Sequence, residues 1–183
     1  MNNIQKKSPP VTTDKILVTH IGPEQPRRIY LFADVLEELV YHASQRNAHG
    51  MLTGRRYLPQ EEPEPGSEVF PYIEITAFNE IYPAEDAIEY AHHLRKMRDF
   101  RDTNADEIIL GTVSMAAEMP EVMLEDLLVQ RTYFADADQI LLFVSADKKP
   151  PKAFRLDPDT DILTENGLDI VGLKESPLPF DIS

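Results

Sequence analysis

The sequence predicts an α/β fold, and the stretch from Ala105 to Ser145 carries most of that expectation. It reads as a buried strand over Glu107 to Val113, a short loop, a helix opening at Pro120 and a second buried strand over Gln139 to Val144. Both strands are runs rich in Ile, Leu and Val without polar alternation, the pattern of central strands covered on both faces. The helix carries Pro120 near its first turn, where a missing N–H costs nothing. Its apolar stripe is expected at Met123, Leu124, Leu127 and Leu128, with Arg131 at the same spacing. The loop between, Ser114 to Met119, lies where open α/β sheets place ligands, yet it is nearly bare of catalytic side chains.

The remaining elements follow in order. Residues 1–13 are polar, contain Pro9-Pro10 and predict a disordered tail, ahead of one domain over residues 14–156. Lys15 to Ile21 predicts a first strand, ended by the turn-forming GPEQP, and Arg28 to Phe32 a second. A helix starts at Ala33-Asp34 with an acidic first turn and a buried stripe of Val35, Leu36, Leu39, Val40 and Ala43, ending near Arg46. Met51 to Leu58 predicts a strand in which Gly54 marks a bulge or a close backbone approach. Tyr72 to Ile81 alternates Ile73, Ile75 and Ala77 with polar residues, so the Pro- and Glu-rich loop before it joins the two strands as an antiparallel hairpin. A second helix is expected over Glu85 to Phe100, and a short strand over Ala153 to Leu156. Residues 157–183 are an acidic, turn-rich extension expected to pack on or trail the domain, with a strand or helical turn over Leu168 to Leu173.

Composition narrows the function classes. A chain of 183 residues suits one domain with a sizeable core. Its 32 Asp and Glu against 18 Lys and Arg give a net charge of -14, so a nucleic acid would meet repulsion. The absence of Cys excludes disulfides, thiolate zinc sites and a Cys nucleophile. No apolar core of a signal peptide and no run of roughly 18 apolar residues is present, so a cytoplasmic protein with neither nucleic acid nor membrane as partner is expected.

The chemistry-bearing residues are sparse. His42 lies on the first helix and His92 and His93 on the second, without metal-ligand spacing, and His20 sits in a strand with no partner near it in sequence. DPDTDILTENGL imitates a calcium loop, but Ile162 stands where a sharp turn needs Gly and Leu168 where a bidentate Glu is needed, so an acidic turn is the better reading. Ser114 has neither a G-x-S-x-G elbow nor a His nearby in sequence.

Val35 to Tyr57, IEITAFNEIY, HHLRKMRDF, and IILGTVSM followed by EDLLVQRTYFADADQILLFVS come in an order that resembles the MPN or JAMM domain, a superfamily of zinc-dependent isopeptidases and metal-free relatives. The resemblance covers roughly residues 28–156, and its most specific signal is Gly50-x-Leu52-x-Gly54 with Gly111 ahead of the metal loop. It implies a mixed, curved sheet with helices on both sides. In catalytic members a Glu stands three residues before the first of those glycines, His-x-His follows the strand, and Ser-x-x-Asp opens the next helix. The resemblance puts Asn47 at the Glu position, Ser114 and Ala116 at the two His positions, and Asp126, one residue out of spacing, at the Asp. It therefore implies a degenerate member with no metal and no cofactor, acting as a scaffold on another protein, an MPN-like domain or a second copy of itself. The alternatives are a hydrolase with relocated ligands and a small-ligand sensor. For these, His49 would face the same side as Asn47, with Ser114, Glu118 and Asp126 gathered near it.

Overall fold

The computed structural model describes residues 4–6, 16–25, 27–58, 71–81, 92, 95–96, 108–172 and 178–181. These form a mixed α/β structure built on one curled sheet. The strands are β1 (Ile4–Lys6), β2 (Ile16–Ile21), β3 (Ile29–Phe32), β4 (Ala48–Leu58), β5 (Tyr72–Ile81), β6 (Ile108–Ala116), β7 (Ile140–Ser145), β8 (Lys152–Leu156), β9 (Leu163–Asn166) and β10 (Leu168–Gly172). Their order across the sheet is β2-β10-β3-β5-β4-β6-β7-β8-β9, with β1 pairing beside the far end of β4. The pairs β10–β3, β3–β5, β6–β7 and β1–β4 are parallel and the others antiparallel.

Among the described residues, one helix covers each face of this sheet. α1 (Ala33–Gln45) follows β3 directly and buries Val35, Leu36, Leu39 and Ala43 against Leu52, Leu110, Val113 and Leu142. α2 (Leu124–Tyr133) makes the crossover that a parallel β6–β7 pair requires. It buries Val129 against Met51, Ile109 and Phe134. Met51 and Leu52 are neighbours on one strand and so point to opposite faces, which places the helices on the two sides.

β6 carries the feature that decides which side chains reach which face. Leu52 pairs with Gly111 but Thr53 with Ile109, so Leu110 is an extra residue in β6. Leu110, Val113 and Met115 all pack on the α1 side, a spacing that an unbroken period of two forbids. The bulge shifts the parity, and Thr112 and Ser114 turn to the α2 side. Gly111 makes it possible: its φ is 130°, and a Cβ there would collide with the Ile140 carbonyl. Gly54 serves a similar close approach, its missing Cβ leaving room for the Glu74 carbonyl.

Several expectations change. α2 starts at Leu124 and not at Pro120, because the preceding residues are held extended: Met119 N–H donates to Asp147 Oδ2 at 3.1 Å and Met123 N–H to Asp126 Oδ2 at 2.8 Å. The buried stripe is also rotated. Val129 and Gln130 are buried, whereas Met123, Leu124 and Leu128 are exposed. Within the tail expected to be disordered, Ile4–Lys6 pair with Arg56–Leu58. Residues 157–183 supply β9 and the fully buried β10, which lies between β2 and β3. The calcium-like segment, by contrast, is the acidic turn expected of it, with Asp161 N–H donating to Asp157 O at 2.7 Å. The Pro- and Glu-rich loop before Tyr72 and the helix expected over Glu85 to Phe100 lie outside the described residues, except that His92, Arg95 and Lys96 are helical and exposed.

Replacing Gly111 by Ala forces an L side chain into a disallowed backbone region against a carbonyl. Gly111→Ala is expected to lower stability by about 3 kcal/mol or more in urea unfolding; a loss below about 1 kcal/mol would show that the bulge is not fixed by glycine.

Candidate functional site

A cleft of about 300 Å³ opens between the ends of β4 and β6 and the start of α2. It brings together Asn47, His49, Ser114, Ala116 and Asp126, with Phe143 from β7 also lining it. Glu118, expected in this group, is exposed on the loop and does not line the cleft; Glu121 and Glu125 do.

The pairing of β4 with β6 sets His49 directly opposite Ser114. His49 Nδ1 and Ser114 Oγ lie 3.1 Å apart, a hydrogen bond between residues 65 positions apart in sequence. Burial lowers the His49 pKa, and the nearby Asp126 carboxylate only partly opposes this. Burial in turn raises Asp126, against the lowering effects of the Met123 N–H and of His49. The cleft thus holds a neutral imidazole beside a carboxyl group whose charge is disfavoured.

The rim is fixed by hydrogen bonds that the sequence does not show. Asn47 Oδ1 accepts the Ala117 N–H at 3.4 Å. Asp147 accepts the Ser145 hydroxyl, the Met119 N–H and the Lys149 N–H, and the Ser145 bond first among these holds its pKa below the usual carboxylate range. Asp147 reaches Met119 only because β6 and β7 lie parallel with Ala116 beside Ser145. Sequence spacing alone does not reveal that register.

This arrangement limits the chemistry. Ser114 has a His partner after all, but it sits inside a strand paired on both sides, so the strand amides around it belong to the ladders and are not free to stabilise an oxyanion. Among the described residues, no three His, Asp or Glu side chains gather closely enough to hold a metal ion. No described helix is long and apolar enough to cross a membrane. Of the other histidines, His20 finds a partner 149 residues away, Asp169 Oδ1 at 2.6 Å, and His42 packs edge-on against Phe78. His93 lies outside the described residues. No protein-family model and no curated protein matches the chain.

The lowered pKa of His49 has a definite sign in the pH dependence of stability. The unfolded chain takes up a proton near the ordinary imidazole value of about 6.5 and the folded one does so only lower, so this contribution is lost as pH falls below that value. Asp126, raised by burial, acts oppositely: its contribution is complete below the unfolded pKa and is lost as pH rises through the folded one. His49→Gln is expected to lose less stability than the parent between pH 7 and pH 5.5 in urea unfolding; equal losses would show that His49 titrates normally.

Proposed function

We propose that this chain is a metal-free MPN-like module that acts by contact with another protein, through the rim of the cleft and the adjoining face of α2. The observation that carries this reading is an exposed apolar patch beside the cleft. Val122, Met123, Leu124 and Leu128 are 41%, 58%, 68% and 46% exposed, and Met123 also lines the cleft. Large side chains grouped in this way are a common mark of a protein contact, whereas scattered ones are ordinary. A partner with a basic rim would suit the net charge of -14.

The MPN assignment rests on spacing and convergence. Asn47 just before β4, Ser114 and Ala116 on β6 and Asp126 on the following helix meet at one cleft in the order of the resemblance, with Gly50 and Gly54 further along β4 and Gly111 earlier on β6. The donor set does not fit zinc. Ser114 and Ala116 cannot replace two imidazoles, and Asn47 cannot abstract a proton from a bound water. His49 and Asp126 are bound within the fold to Ser114 and the Met123 N–H.

A photo-crosslinking residue at Leu124, introduced in the native host, is expected to capture a defined polypeptide, with no capture from Lys152 on β8. Leu124→Lys/Leu128→Lys is expected to abolish association with that polypeptide while changing stability by less than about 1 kcal/mol. Absence of any adduct at Leu124 would overturn the proposal. A stability loss of about 2–5 kcal/mol per site would show that these leucines are core.

A further inference from the structure

Away from the cleft, two guanidinium groups meet one carboxylate and a third lies within reach of its charge. Arg27 Nη1 donates to Asp138 Oδ1 at 2.9 Å, and Arg56 Nε lies 3.0 Å from Asp138 Oδ2. Arg56 and Asp138 are both buried. Arg155, on β8, feels the charges of both Asp138 and Arg27. Three cations meet two carboxylates, Asp138 and the cavity-lining Asp157, which leaves an excess of one positive charge among the described residues in a protein that is strongly acidic as a whole. Excess buried charge is costly unless something offsets it.

Arg155 shows where the offset belongs. Its Nε and Nη2 are buried and have no hydrogen-bond partner among the described residues. These two nitrogens form one edge of the guanidinium, from which two N–H bonds point in parallel. That edge takes two oxygens of a single oxyanion side by side. Burial pulls the Arg155 pKa down to about 10, with Asp138 opposing and Arg27 adding to the fall.

Arg155 and Arg27 line a cavity of about 290 Å³ together with Gln25, Asp157 and Thr164. Asp157, the acidic member, has its carboxylate occupied by its own turn: Oδ1 accepts the Asp159 N–H at 2.9 Å. Thr164 donates its hydroxyl to the Arg155 carbonyl at 3.3 Å, which ties the β8 backbone to β9 at the cavity wall.

We propose that this cavity is an oxyanion site for a phosphate group, held by the Nε–Nη2 edge of Arg155 with Arg27 beside it. A phosphate group can offer two oxygens to the Arg155 edge and a third to Arg27, whereas a carboxylate has only the two. Inorganic phosphate and a phosphate monoester share this chemistry, and the cavity has room for an organic group on the phosphate.

The full chain is titrated with inorganic phosphate and, separately, with methyl phosphate, followed by thermal unfolding and by the Arg155 Nε–H resonance, with sodium chloride at matched ionic strength as the control. Expected are a rise in Tm that chloride does not give, a shift of the Arg155 Nε–H signal, and a loss of affinity of about tenfold or more in Arg155→Gln. Tighter binding of methyl phosphate assigns the site to an ester, and tighter binding of phosphate to the free ion. The proposal is overturned if neither probe binds below about 10 mM, if Arg155→Gln binds as well as the parent, or if the Nε–H signal stays fixed while Tm rises. The resonance is read in the parent chain, so the test holds even where the variant does not fold.

Discussion

The bulge at Leu110 and Gly111 is the constraint on which the cleft depends. A strand presents its side chains with a period of two, so a single inserted residue reverses every position beyond it. Upstream of the bulge Ile109 faces α2; downstream Val113 and Met115 face α1 and Ser114 faces α2. Without the insertion Ser114 would point into the α1 core and Val113 into the cleft. The glycine conformation at φ 130° and the close approach to Ile140 therefore govern both the packing of β6 on β7 and the meeting of Ser114 with His49.

The cleft and the arginine cavity handle buried polarity in contrasting ways. In the cleft, burial pushes His49 towards its neutral form and works against the charge of Asp126, and each finds a hydrogen bond inside the fold. At the arginine cavity one carboxylate, Asp138, serves Arg27 and Arg56 together. The first arrangement can rest as it is. The second leaves the Arg155 edge without a partner among the described residues.

Much of the sheet was legible in the sequence because its strands carry their burial locally. The unbroken apolar runs of β6 and β7 mark central strands, the alternation of β5 marks a hairpin strand, and Gly54 points to a close backbone approach. β10 was harder to read, since Leu168–Gly172 is five residues inside an acidic segment and owes its burial to pairing with β2 and β3. The buried face of α2 does not follow from the apolar stripe, because Leu124 and Leu128 are exposed and Leu127 only half-buried while Val129 and Gln130 pack. Helical spacing shows that a stripe exists, but not whether the fold or a partner covers it. In the site, Asn47, Ser114 and Asp126 were accessible through the resemblance to the MPN pattern and His49 through the strand period that sets it on the side of Asn47, whereas Asp147 and the Arg27–Asp138–Arg56 cluster depend on strand registers that sequence does not display.

The central claim is that the cleft works without a metal. Elemental mass spectrometry of the chain, purified without a histidine tag, loaded with zinc and then desalted, tests it directly. The account predicts a zinc content near zero, the same in the parent and in His49→Ala. About one zinc per chain, lost in His49→Ala, would contradict it and restore metal chemistry to this cleft.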